Sequence, residues 1–344
     1  MEHVGIDLGG RQSQICVRGD DGTVVEERRW PTAELPAYLA RRGPSRVILE
    51  TCAEAFRIAD AAKECGHEVR VVSATLVRSL GVGAHGIKTD RRDAQVLSQV
   101  SCRIDLPSVH VPSSRSRELR SLCNSRDALV KTRTLLVNSV RGWLRKRVLR
   151  PKSGGTVTFV QRVRELLLAS ELGLPQHIEA ELVVIATIST QITALAKELA
   201  VLAKADPICR RLMTVPGVGP LTAIRYLTTL DEVGRFPSAH RVASYLGLAP
   251  GEHSSSARVQ RTGITKAGST ALRWLLIEAA WRIRRLQPGS SIARWAAQIE
   301  ARRGRAVSIV ALARKLALIL FALWRDQANY DPARAARAQE VPEL

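Results

Sequence analysis

The stretch Lys88-Thr89-Asp90-Arg91-Arg92-Asp93-Ala94 sets two acids three residues apart at the start of a helical pattern. On a helix they share one face about a turn apart, which costs Coulomb energy unless a cation lies between them. Ala94, Val96, Leu97 and Val100 continue with helix-like spacing, so the acidic pair faces inward. A buried acidic pair with no Lys or Arg on its own face suits a divalent metal. Taken alone, the same residues also suit a solvated helix N-terminus, with Asp favoured by the dipole and Arg91 and Arg92 at the surface. The other acids decide between these readings by where they fall.

Residues 3–7 are a short apolar strand ending in Asp7, followed by Leu8-Gly9-Gly10. Residues 14–17 and 23–29 read as two more strands, with Asp20-Asp21-Gly22 as hairpin turn chemistry. A helix pattern covers 32–41, and the apolar strand 46–50 again ends in an acid, Glu50. Helix 53–65, strand 67–72 and a short helix 76–80 complete an order β-β-β-α-β-α-β-α. That order predicts a mixed sheet covered by helices, a ribonuclease-H-like core. Asp7 and Glu50 end two neighbouring strands, and Asp90 and Asp93 open the next helix. Carboxylates so placed can meet and hold two magnesium ions roughly 3.5–4 Å apart, a clamp for in-line attack on a phosphodiester. Singly, Asp7 is also a turn former and Glu50 a helix-start residue; the four together are far more specific.

The residues G-I-D-L-G-G, V-I-L-E and K-T-D-R-R-D-A resemble the N-terminal domain of the DEDD recombinases. These are the Piv-type DNA invertases and the related insertion-sequence transposases that work with a bridge RNA, and their domain resembles the Holliday-junction resolvase RuvC. The resemblance implies that Asp7, Glu50, Asp90 and Asp93 bind metal, Mg2+, two ions per composite site, and that Lys88 and Arg91 lie against nucleic acid.

Residues 113–150 read as a long helix or helix pair. From 109 to 150 there are eleven Lys and Arg against Glu118 and Asp127, while Leu119, Leu122, Leu129, Leu136, Val140 and Leu144 form an apolar stripe. With so few acids to compensate, Arg115, Arg120, Arg133, Arg145 and Lys146 point to phosphate contacts rather than a merely solvated face. The whole chain, at 344 residues, carries a net charge of +20, a field that favours a polyanion. Its fourteen aromatics are too few for extended base-stacking platforms, so contacts should run through phosphates and shape. Six cysteines without a CxxC pair argue for reduced thiols and against a zinc site. No run of eighteen apolar residues and no signal peptide is present, which points to a soluble, cytoplasmic protein without membrane contact. After a break at Pro151-Lys152-Ser153-Gly154-Gly155, residues 175–203 carry apolar steps of three and four. Those steps suit a helical hairpin, an intersubunit coiled coil or packing within the monomer.

Met213-Thr214-Val215-Pro216-Gly217-Val218-Gly219-Pro220 resembles a helix-hairpin-helix turn, whose Gly217 and Gly219 would offer backbone N–H groups to a phosphate; a plain interhelix turn fits as well. A polar loop, Gly251-Glu252-His253-Ser254-Ser255-Ser256, precedes Thr262-Gly263-Ile264-Thr265-Lys266-Ala267-Gly268 and a helix over 269–286. The order P-G-V-G-P, Y-L-G-L-A-P, H-S-S, G-I-T-K-A-G, A-L-R-W-L-L resembles the C-terminal domain of the same transposases, where a loop serine is the nucleophile toward DNA. Counting from Pro250 gives Ser255 and counting back from Ile264 gives Ser254; both stay open, because Ser256 and Ala257 stand where the family has Gly. Between 258 and 325, fourteen Lys and Arg face Glu278 and Glu300. Arg258, Arg261, Lys266 and Arg273 are the candidate phosphate contacts here. Trp274, Trp281, Trp295 and Trp324 read as core, and 307–324 as the closing helix.

The expected architecture is α/β plus mainly α: a metal-binding RuvC-like domain (1–108), a basic helical, coiled-coil connector (109–205), a helical transposase domain (206–330) and a tail (331–344). The expected activity is cutting and rejoining of double-stranded donor and target DNA through a serine–DNA ester. The resemblance adds a bridge RNA, dimers assembling to a tetramer, and a serine from one subunit meeting the acids of another. A metal-dependent junction nuclease using water, and a non-catalytic nucleic-acid scaffold, are the rival readings.

Overall fold

The computed structural model describes residues 1–79, 90–255 and 258–333, and divides the chain into two compact units, 1–112 and 113–344. In the first unit, β1 (Glu2–Asp7), β2 (Gln12–Arg18), β3 (Val24–Pro31), α1 (Leu35–Ala40), β4 (Ser45–Glu50), α2 (Ala55–Glu64), β5 (Glu68–Val72), α3 (Ala74–Ser79) and α4 (Asp90–Arg103) follow the expected order. The sheet runs β3-β2-β1-β4-β5, with β1 antiparallel to β2 and parallel to β4, and β4 parallel to β5. This is the mixed sheet covered by helices that the sequence predicts.

Side chains alternate across a strand, so the apolar pattern fixes which way each acid points. Val4, Ile6, Val47 and Leu49 pack with Leu35 and Leu39 of α1 and Ile58 and Ala59 of α2. Ile48 and Val72 turn to the opposite face and pack with Val77 of α3 and Leu97 of α4. By alternation Gly5, Asp7 and Glu50 share that second face, under α4.

The second unit opens with α5 (Ser114–Arg145), whose start is capped by the Ser113 hydroxyl accepting from the Ser116 N–H. It continues through α6 (Phe159–Leu168), α7 (Gln176–Ala205), α8 (Pro207–Leu212), α9 (Pro220–Leu230), α10 (Ala239–Tyr245), β6 (Pro250–Ser255), β7 (Arg258–Ile264), α11 (Thr270–Leu286), α12 (Ser291–Arg303) and α13 (Arg305–Arg325). Two cores lie along the antiparallel α5–α7 pair. The larger one surrounds α9 and takes in Cys123 of α5 and Leu199 of α7; the other packs Val137, Val140 and Leu144 of α5 with Phe159 and Val163 of α6 and Ile178 and Leu182 of α7. The α5–α7 pair is thus a helical hairpin within the chain. Along α5 the seam residues Cys123, Val130, Val137 and Leu144 recur every seven positions, the coiled-coil period. Buried Arg225 of α9 is tied to α5, donating to the Asn124 side-chain Oδ1 at 2.7 Å and to the Asp127 carboxylate at 2.5 Å.

Two expectations are overturned. The polar stretch after Pro250 is a strand: β6 pairs antiparallel with β7, Ser254 opposite Val259 and Ser255 opposite Arg258. Trp274 and Trp281 are 60% and 38% exposed rather than core, because the buried stripe of α11 is Leu272, Leu276, Ala279, Ala280 and Ile283. Two helices, α7 and α13, are long and apolar enough to cross a membrane by length and composition; α13 spends its apolar face in the larger core. All six cysteines are free, and Cys16, Cys123 and Cys209 are buried. Burial raises the Cys123 thiol to about 11, so it behaves as a small apolar side chain.

Candidate active site

In the first unit, α4 crosses over β1. The His3 ring nitrogen Nδ1 lies 2.8 Å from the Ser101 hydroxyl. Two residues on, Gly5 packs so tightly that a Cβ there would meet the Ala94 carbonyl at 2.4 Å and the Ser98 nitrogen at 2.6 Å. Helix numbers thus fall as strand numbers rise, and the N-terminal turn of α4 with Asp90 and Asp93 lies toward the end of β1 that carries Asp7. On the sheet, Ile6 pairs with Leu49, so Asp7 and Glu50 are the next residues on adjacent parallel strands, a strand spacing of about 4.8 Å. Asp93 is 2% exposed, Asp7 and Glu50 are half-buried and Asp90 is exposed.

Asp7, Glu50 and the first turn of α4 lie toward one end of the sheet, with Asp90 exposed rather than turned inward as expected, and among the described residues no three acid, His or Cys side chains lie close enough to hold an ion jointly. As a donor set they are oxygen throughout, which fits a hard divalent cation such as Mg2+ and not a thiolate- or imidazole-seeking metal. The turn after Asp7 is held from below: the Thr32 hydroxyl donates to the Gly9 carbonyl at 2.6 Å and meets the Ser13 hydroxyl at 2.8 Å. Neither Ser13 nor Thr32 stood out in the sequence, since a lone hydroxyl at a strand end has no spacing signal. Arg91 turns toward the sheet edge and pairs with Glu27, which Gln95 also contacts. The Arg91 hydrogen bond holds Glu27 below the usual carboxylate range against the opposing effect of burial. Lys88 lies outside the described residues.

In the second unit the two motifs flanking the serines interlock. Gly247 and Gly268 have φ of +67° and +68°; a Cβ on Gly247 would meet the Ala267 carbonyl at 2.2 Å, and one on Gly268 the Tyr245 carbonyl at 2.1 Å. Thr265 N–H donates to the Ala249 carbonyl and Lys266 N–H to the Gly247 carbonyl. This knot anchors the base of the β6–β7 hairpin on which Ser254 and Ser255 sit; the side chains of 252–261, Arg258 and Arg261 included, lie outside the described ones. Arg273 is buried and serves the knot, donating to the carbonyls of Leu246 and Ala267 and to the Thr270 hydroxyl, so its guanidinium is spent inside the fold rather than offered to a phosphate. Lys266 is exposed, at φ +58°.

Gly217 has a packing reason of its own, since a Cβ would meet the Ala279 carbonyl at 2.9 Å and Ile283 at 3.0 Å. Gly219 caps α9 with open space around it. On α5, Arg145 and Lys146 are exposed near the distal core; Arg133 is half-buried; Arg115 pairs with Asp206 at 2.7 Å; and Arg120 donates to the Thr228 carbonyl, with burial lowering its pKa.

Residues 4–148 match the DEDD_Tnp_IS110 family, described as a transposase, and residues 209–295 match the family described as Transposase IS116/IS110/IS902. The chain belongs to the IS110/IS116/IS902 family of transposases. The transposase is 28% identical to the Coxiella burnetii transposase for insertion sequence element IS1111A over 95% of this chain and 90% of that one. It is 28% identical to a Pseudomonas aeruginosa probable family 20 transposase over 96% and 99%, and 28% identical to the Yersinia enterocolitica transposase for IS1328 over 92% and 94%. These matches support an insertion-sequence transposase that cuts and rejoins DNA; they lend no support to the invertase side of the resemblance. The five-stranded mixed sheet is consistent with the ribonuclease-H-like domain of a DEDD transposase, and that family suggests use of a divalent metal.

Proposed function

We propose that the transposase breaks DNA with a hydroxyl of the β6–β7 hairpin, Ser254 or Ser255, while Asp7, Glu50, Asp90 and Asp93 hold Mg2+ beside the scissile phosphate. The observation that carries this reading is the antiparallel crossing of α4 over β1, with Asp7 and Glu50 turned toward the same face. Serine Oγ attacks phosphorus, its proton passes to a base, and the P–O bond to deoxyribose breaks as that oxygen takes up a proton. A serine–DNA phosphodiester results, and a sugar hydroxyl of a second strand reverses the step to rejoin. A cation held by the acids would neutralise charge building on the phosphate oxygens. The rigid knot at Gly247 and Gly268 supports the hairpin as a presenter of the nucleophile, because preorganisation removes the entropy of positioning.

We place DNA and RNA backbone contact on the exposed cations, Arg145, Lys146 and Lys266 foremost, and read a bridge RNA as guide, with action in the cytoplasm. Val183, Val184 and Val201 of α7 and Leu135 of α5 are exposed, which supports assembly of chains into dimers and tetramers through this hairpin. On a nicked DNA substrate with Mg2+, Asp7→Asn and Asp93→Asn are expected to lower strand cleavage by at least about 10²-fold. Ser254→Ala or Ser255→Ala should abolish a covalent protein–DNA adduct, with peptide mapping naming the modified serine. Cleavage that persists undiminished in the double serine variant would identify water as nucleophile and overturn the ester.

A further inference from the structure

The sequence assigns Trp274 and Trp281 to the core, and the structure puts them on the surface. They are seven residues apart on α11, hence on one face and about 10 Å apart along the axis. That distance spans roughly three nucleotides at the 3.4 Å rise of a strand. Around them α11 offers Arg282 and Arg285, both exposed, against the single acid Glu278 on the same helix. At the corner between α12 and α13, the Arg305 guanidinium stands 5.3 Å from the Trp281 ring centroid. Arg305 also lies 3.8 Å from Glu300, but that carboxylate is engaged by Arg284.

Large rings exposed on a rigid helix are costly in water without a partner. A protein surface would be an adequate partner for the rings alone, yet it would have to desolvate the surrounding cations. An unpaired strand satisfies both, bases stacking on the rings and phosphates meeting the guanidiniums. A closed duplex fits less well, because its bases are already stacked on each other.

We propose that the Trp274–Trp281 face of α11 is a stacking platform for unpaired nucleotides. The inference rests on reading the chain as a DNA-acting transposase and gives that reading a strand-state preference. The test is binding of the full-length protein, in EDTA so that nothing is cut, to labelled unpaired DNA, unpaired RNA and duplex DNA of one sequence, followed by anisotropy. Trp274→Ala/Trp281→Ala is expected to weaken unpaired binding about tenfold or more, with duplex affinity held within about twofold. Trp274→Phe/Trp281→Phe should restore most of it. A larger loss on RNA than on DNA assigns the platform to a guide RNA, and the converse assigns it to an opened DNA strand. Equal loss on duplex and unpaired strands, no loss, or a fall in the mass of the protein alone in sedimentation would overturn the proposal, the last by showing that the face meets a second copy. Binding is read here without cleavage, so a failed cleavage mechanism and a failed platform are separately visible.

Discussion

Gly5 is the residue on which the geometry of the acids turns. Without a Cβ it lets α4 approach β1 to contact, and Asp90 and Asp93 ride on that helix. In Gly5→Ala the Ala94 carbonyl must retreat, carrying the N-terminal turn of α4 away from Asp7. Misplacement of about 1 Å can cost on the order of 10²-fold in rate, so strand cleavage should fall by that order while circular dichroism still reports a folded chain. At the hairpin base the effect is on stability instead. Gly247→Ala combines a left-handed backbone with a 2.2 Å clash and is expected to cost about 2–4 kcal/mol in urea unfolding. Lys266, already at φ +58°, should gain up to about 1 kcal/mol as Lys266→Gly. The acids were legible in the sequence because a strand end and a helix start can be read from apolar spacing. The interlocked glycines were legible only as a motif, since the reason for them is a backbone contact twenty residues away.

At the level of elements, β1 and α4 depend on each other through His3. Burial first, and then Arg46, hold its imidazole below the ordinary value of 6.5, while Asp20 works in the opposite direction. The unfolded chain therefore takes up the proton before the folded one, so this contribution is whole above about pH 6.5 and is lost as pH falls from there through the lower folded value. Urea unfolding at pH 7.5 and 5.5 should show a larger drop for the native chain than for His3→Gln. The strands of the first unit were readable because Val, Ile and Leu alternate there with residues of the other face. β6 was not, because Gly-Glu-His-Ser-Ser has no β-branched member and its pairing is set by β7 and by the anchored ends. Trp274 and Trp281 misled for the opposite reason: helical spacing is the same on a buried stripe and an exposed one, and only the packing partners of α11 distinguish them.

Over the whole molecule the excess of twenty positive charges governs association more than folding. If six to ten phosphates are contacted, affinity for duplex DNA should drop by about 10³–10⁵ between 50 and 200 mM salt. Arg145→Ala or Lys146→Ala should each lower the slope of log affinity against log salt by about 1; an unchanged slope would remove that residue from the contact surface. The change from strands to long helices was legible, because alternating and three-to-four apolar spacings differ. Which side chains the basic segments leave to solvent was not, because Arg120 and Arg273 are consumed by internal carbonyls that no spacing rule reveals.

The paired legs α5 and α7 run between two separate cores, with Cys123 and Leu199 in one and Val140 and Ile178 in the other. A rung of seven residues removed from each leg would shorten the ladder by about 10 Å and turn its far end by only about 20°, leaving both knots of packing intact. The distance from the hairpin-bearing end of the unit to the arginine-studded tip is therefore an adjustable dimension, one that kindred elements could lengthen or trim without redesigning either end.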